Sequence, residues 1–183
     1  MNLPNALTVG RIFLVPLLVV VLLTKFDGRM IMGVPKELVG AAIFGIASLT
    51  DALDGYLARR RNQITTLGQL MDPLADKLLI TAALISLVQL DLAPAWMVAV
   101  ILGREFAVTV LRSIAHGKGM VIAASPLGKF KMFAEVIAIL ALILGQDQLQ
   151  QFYVIGTIAL WIAMLTATIS GIDYYRRFAQ SGL

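Results

Sequence analysis

Four aspartates stand where carboxylates are costly. Asp51 and Asp54 fall in SLTDALDGYLARRR, residues 48–61, and Asp72 and Asp76 in LGQLMDPLADK, residues 67–77, with apolar runs on either side. At the helical period Asp51, Asp54, Gly55 and Ala58 share one narrow arc, and Gly68, Asp72 and Asp76 line one face at i, i+4 and i+8. If the two segments form an antiparallel helical hairpin that turns near position 63, Asp54 lies opposite Asp72 and Asp51 opposite Asp76. The deeper pair is then roughly 15 Å from the turn. A carboxylate at the centre of a bilayer costs about 2.5–3.5 kcal/mol. Four that face one another also repel, so protons or cations must sit among them.

Hard oxygen donors without histidine or cysteine suit Mg²⁺, Mn²⁺ or Ca²⁺. Two such ions about 3.5–4 Å apart form the clamp used for in-line phosphoryl displacement. Gly55, Ala58 and Gly68 leave room beside the carboxylates for a ligand or another backbone. Arg59, one turn from Gly55, suits either a phosphate contact or a cytoplasmic anchor like Arg60 and Arg61. A lone intramembrane Asp could merely bridge two helices. Two facing pairs point instead to function.

A second polar set lies further on. Arg104 and Arg112 occur in VILGREFAVTVLRSIA, and Lys129 and Lys131 in ASPLGKFKMF. A hairpin turning near position 120 sets Arg112 opposite Lys129 at shallow depth. Arg104 lies deeper and has Glu105 and Glu135 as candidate ion-pair partners. The cluster Arg112, Lys129 and Lys131 is expected to have no carboxylate close in sequence, which fits an anionic group such as a phosphate. An acidic, metal-ready hairpin beside a basic one suggests transfer of a phosphoryl-linked lipid group to a phosphorylated, water-soluble acceptor.

These residues must be held by membrane helices. Of 183 residues, 59% are hydrophobic and 14% charged, and the mean hydropathy is +0.87. A soluble domain of that length cannot cover itself with so little polar surface. Runs near 20 residues place six helices, Asn5–Thr24, Glu37–Arg59, Thr66–Leu90, Pro94–Ala115, Pro126–Gly145 and Gln151–Tyr175. Strands are not expected, because the runs show no period-2 alternation. The expected fold is an all-α integral membrane protein, a single domain over residues 1–183, with a polar cavity open to the cytoplasm. Arg59, Arg60, Arg61, Lys118, Arg176 and Arg177 fall on one side of this arrangement, against Lys25, Arg29 and Lys36 on the other. The positive-inside rule therefore puts both termini in the cytoplasm. The net charge of +4 comes without a basic stripe interleaved with aromatics, so no nucleic-acid partner is expected. There is no cysteine, and His116 is the single histidine, which excludes thiolate chemistry and a histidine-built zinc site.

The spacing D-x2-D-G-x2-A-R-x8-G-x3-D-x3-D, running from Asp51 to Asp76, resembles the full motif of the CDP-alcohol phosphotransferase family. NLPNALTVGRI, GREF and SPLGKFK resemble its branch that joins CDP-diacylglycerol to glycerol 3-phosphate; Met132 departs from the threonine often found there. The resemblance implies an enzyme of the bacterial inner membrane, a homodimer with two divalent cations, Mg²⁺ or Mn²⁺. By it, Asp51, Asp54, Asp72 and Asp76 are metal ligands, and Asp76 is also the general base. Gly55, Ala58, Arg59 and Gly68 border the CDP-diacylglycerol pocket, and Asn5, Thr8 and Arg11 close over the nucleotide. Arg112, Lys129 and Lys131, with Arg104 assisting, hold the acceptor phosphate. Serine or an inositol phosphate is the alternative acceptor within the family. A cation or proton transporter is the alternative outside it, and would need polar residues continuing past the aspartates. VGAAIFGI and LLITAALI run apolar there.

Overall fold

The computed structural model describes residues 3–25, 30–61, 66–117, 126–146 and 149–180. Six helices lie among the described residues: α1 (Leu3–Leu23), α2 (Lys36–Arg61), α3 (Thr66–Gln89), α4 (Ala95–Gly117), α5 (Pro126–Leu144) and α6 (Gln150–Gln180). Their ends agree with the sequence expectation to within a few residues, except that α6 continues five residues past Tyr175. An i, i+4 ion pair, Arg177 Nη2 to Asp173 Oδ2 at 3.0 Å, laces that polar last stretch.

The expectation of no strands misses one small feature. Met30–Ile31 (β1) and Val34–Pro35 (β2) pair antiparallel. Met32 and Gly33 form the two-residue turn at φ 51° and 82°, the positive-φ combination that matches the twist of a hairpin.

Local chemistry sets the ends. Lys36 donates from Nζ to the Leu22 carbonyl at 3.0 Å, satisfying one of the orphan acceptors in the last turn of α1. Glu37 stands in the first turn of α2, where a negative charge complements the helix dipole. Helix α3 closes with a Schellman motif. Leu92 N–H donates to the Leu87 carbonyl at 2.9 Å and Asp91 N–H to Val88 at 3.1 Å, with Asp91 at φ 58°. Pro16 lies within α1, and the helix runs through it.

Helix α5 packs along α6, α1 against α2 and α3, and α4 against α6. The core gathers Phe44, Leu79, Leu87, Ile101, Ile139 and Leu142, each at most 1% exposed. At Gly156 a Cβ would come within 2.7 Å of Leu142 Cγ and 2.8 Å of its backbone nitrogen. Only glycine permits that approach of α6 to α5, a device common where helices associate in lipid.

Outside the core the surface is greasy. Phe13, Ile46, Phe106, Phe133 and Ile158, on five different helices, are 56–72% exposed. Apolar exposure on this scale needs a covering other than water. Among the described residues α6 is long and apolar enough to cross a membrane, with a mean hydropathy of 2.0, and Val9–Leu23 and Lys77–Gln89 are shorter apolar helical stretches. Charges such as Arg104, Glu105 and Arg112 on α4, and Lys129, Lys131 and Glu135 on α5, lower the hydropathy of those helices.

Candidate active site

The backbone carries the aspartate motif as expected. Asp51 and Asp54 lie within the unbroken α2, Asp72 and Asp76 within α3, and the two helices touch. The side chains of Asp51, Asp54, Gly55, Ala58, Arg59, Gly68, Asp72 and Asp76 lie outside the described residues, as do those of Asn5, Thr8 and Lys129. Next to these on α3, Ala75 is fully buried and Lys77 is half-buried.

Beside that point of α3 is a cavity of about 210 Å³ between α3, α4, α5 and α6. Lys77, Ile80 and Thr81 reach it from α3, Arg104, Glu105 and Arg112 from α4, Lys131 and Glu135 from α5, and Tyr174 from α6. This is below the roughly 300 Å³ at which drug-sized pockets begin, so it suits a molecule of a few heavy atoms. Three of the four cations expected to bind the acceptor phosphate, Arg104, Arg112 and Lys131, line this one space.

They differ in what holds them. Arg112 is exposed, with its guanidinium carbon 5.8 Å from the centroid of the Tyr174 ring. Arg104 braces α4 to α6. Its Nε donates to the Ala167 carbonyl at 3.2 Å and its Nη2 to Ser170 Oγ at 2.8 Å. Gly171 makes room for it, since a Cβ there would lie 3.0 Å from Arg104 Cγ. The third polar arm, Nη1, meets Glu105 Oε1.

Lys131 corrects the sequence reading. That reading gave its cluster no nearby carboxylate, yet Lys131 Nζ pairs with Glu105 Oε1 and, at 2.9 Å, with Glu135 Oε1. Glu135 is one helical turn along α5, so the i, i+4 spacing was there to be read. Glu105 comes from another helix. The result is a quartet, Arg104–Glu105–Lys131–Glu135, in which two cations face two carboxylates. The Lys131 side chain is 96% buried, and burial of a cation requires such partners.

Arg11, on α1, is 1% exposed, buried among the helices and not snorkelling to the interface. Sequence reasoning passed over Lys77, Ser170 and Tyr174. Lys77 directly follows Asp76 and donates to Thr109 Oγ1 across to α4. Ser170 and Tyr174 share a face of α6 at i, i+4, and that spacing of polar groups in an apolar helix was the available signal.

Residues 1–169 match the CDP-alcohol phosphatidyltransferase family. The chain is 48% identical over 182 residues to a Bacillus subtilis (strain 168) protein, covering 96% of this chain and 94% of that one. It is 37% identical over 177 residues to a Rickettsia typhi protein, covering 96% of each. Both relatives carry the name CDP-diacylglycerol–glycerol-3-phosphate 3-phosphatidyltransferase.

Proposed function

This chain belongs to the CDP-alcohol phosphatidyltransferase family, and on that premise we propose that it transfers the phosphatidyl group of CDP-diacylglycerol to sn-glycerol 3-phosphate. The products are phosphatidylglycerophosphate and CMP. The observation that carries a phosphorylated acceptor is the gathering of Arg104, Arg112 and Lys131 around one small cavity next to the end of the aspartate motif, and the acceptor in the two relatives' names supports glycerol 3-phosphate among such alcohols.

The whole chain acts as one domain of six helices in the cytoplasmic membrane, both termini and the cavity mouth facing the cytoplasm, as a homodimer. The band of exposed apolar side chains on α1, α2, α4, α5 and α6 supports a bilayer as its surroundings. The lipid substrate keeps its acyl chains in that bilayer, and the soluble acceptor arrives from the aqueous side.

The donor chemistry at the motif is four carboxylates, spaced i, i+3 on α2 and i, i+4 on α3 in two touching helices. That set fits hard divalent cations, Mg²⁺ or Mn²⁺, held by Asp51, Asp54, Asp72 and Asp76. When bound, such ions neutralise the diphosphate and the charge that develops on the leaving group. Gly55, Ala58 and Gly68 leave space along the same helices for the cytidine diphosphate, with Arg59, Asn5, Thr8 and Arg11 around it.

Asp76 accepts the proton of the acceptor's primary hydroxyl. The oxygen bonds to the β-phosphorus as the bond from that phosphorus to the bridging oxygen breaks. CMP departs with the electron pair, and the proton on Asp76 passes to water. Arg112, Lys129 and Lys131, with Arg104 beside them, hold the acceptor phosphate so that its hydroxyl meets the lipid diphosphate. A transporter reading finds less support, because beyond the motif α2 and α3 bury Phe44, Ala47, Leu79, Ala83 and Leu87 in a closed apolar core.

The test is CMP release by purified protein given CDP-diacylglycerol, Mg²⁺ and one acceptor at a time. Release is expected with glycerol 3-phosphate and not with serine or inositol phosphate. Faster release with serine would overturn the acceptor assignment while leaving the family intact.

A further inference from the structure

We infer that Glu105 is a built-in anion that occupies the acceptor's phosphate position, between Arg104 and Lys131, until a phosphorylated acceptor displaces it. The inference rests on the proposed acceptor being a phosphate monoester, and it deepens that reading by naming what selects for the phosphate.

One oxygen, Glu105 Oε1, contacts both Arg104 Nη1 and Lys131 Nζ. A guanidinium and an ammonium converging on a single oxygen is the arrangement by which proteins grip a phosphate oxygen. Both cations and Glu105 line the cavity. An entering phosphate therefore meets a site that is already filled, and the formal charges of the cluster it meets sum to zero: two cations against Glu105 and Glu135.

The two carboxylates are not equivalent. The Glu105 side chain is 24% exposed and that of Glu135 is 3% exposed. Glu105 is part-exposed and regains hydration when it turns toward water in exchange for its two cation contacts, whereas Glu135 is buried in the packing. The cations keep their places when Glu105 leaves. Arg104 retains Ala167 and Ser170 on α6, and Lys131 retains Glu135 at 2.9 Å. With Glu105 turned out, the remaining trio carries one net positive charge facing the cavity. Arg112, at the exposed edge, adds another.

Competition with a resident carboxylate sets a threshold. A neutral hydroxyl cannot displace Glu105, and a free monoanionic carboxylate gains nothing over the carboxylate already tethered there. A phosphate monoester near its dianionic state gains more from the two cations than Glu105 does. Selectivity thus comes from a repulsive element as well as an attractive one.

The test compares wild type with Glu105→Gln and Glu105→Asp in the CMP-release assay. Two readings are taken: KM for glycerol 3-phosphate, and competitive inhibition by inorganic phosphate and by acetate at equal ionic strength. For Glu105→Gln, KM is expected to fall on the order of tenfold, the effect of removing one nearby like charge. Acetate, inert toward wild type, should become an inhibitor of that variant. Glu105→Asp, which keeps the charge, should discriminate as wild type does. A rise in KM for Glu105→Gln, or an unchanged phosphate-to-acetate preference, would contradict the inference. The wild-type arm decides even where a variant does not fold, since acetate competing as well as phosphate would overturn it alone. If wild type instead prefers an unphosphorylated acceptor, the acceptor reading fails, an outcome separate from either variant result.

Discussion

Replacing Asp76 by Asn should abolish CMP release while leaving CDP-diacylglycerol binding in place. The substitution is nearly isosteric and removes the ability to take a proton. A positioned general base typically contributes about 10²–10⁴-fold. Asp76 is also assigned to the metal set, so the loss should lie at or beyond the upper end of that span. Its place in α3 supports the role. It directly precedes Lys77 and stands one turn before Ile80, and both of these line the cavity assigned to the acceptor. Single-turnover release of CMP measures the loss, and equilibrium binding of CDP-diacylglycerol shows that the site survives. Normal turnover by Asp76→Asn would remove the base assignment.

Chelation should have a comparably large effect. Incubation with excess EDTA is expected to bring transfer to background, and Mg²⁺ or Mn²⁺ to restore it. The physical reason is charge. Asp51, Asp54, Asp72 and Asp76 bring up to four negative charges to touching helices, and a lipid diphosphate adds more. Without cations, repulsion between the carboxylates and the diphosphate opposes binding of the lipid. The measurement is CMP release before chelation, after it, and after readdition of each metal. Full activity in EDTA would exclude a metal-dependent mechanism.

Much of the helical framework was legible because its punctuation is strong. Pro35, Pro94, Pro126 and Gly145 bound apolar runs of nearly uniform length, and the observed helices begin and end close to them. The departures have local causes. The Met30–Pro35 hairpin is too short to display a period of two. The end of α6 reads as a polar tail until Asp173 and Arg177 are seen to pair along it.

The site was legible unevenly, for a physical reason. Mirroring α4 and α5 about their connection is possible in sequence, so Arg112 could be grouped with Lys131, with Arg104 further along α4, and the cavity brings the three together. The particular side chains that pair across helices are not visible in this way. Glu105 and Lys131 are 26 positions apart, and Arg104 reaches Ser170 across 66. The sequence reading therefore treated Lys131 as an uncompensated cation, whereas it is held by two carboxylates. Arg104 emerges as a brace between α4 and α6 as well as a member of the cavity wall. Tyr174 was passed over because its partner Arg112 comes from α4, although its i, i+4 spacing from Ser170 could be read in α6.

The central claim is that the carboxylate motif of α2 and α3 joins a lipid phosphate to a soluble phosphorylated alcohol. Its most direct test is transfer of radiolabel from glycerol 3-phosphate into the organic-extractable lipid fraction, with CMP counted in the same reaction. Wild type should move one label into lipid for each CMP released, only in the presence of CDP-diacylglycerol and a divalent cation. CMP released without label entering the lipid, or label entering without CDP-diacylglycerol, would contradict the account.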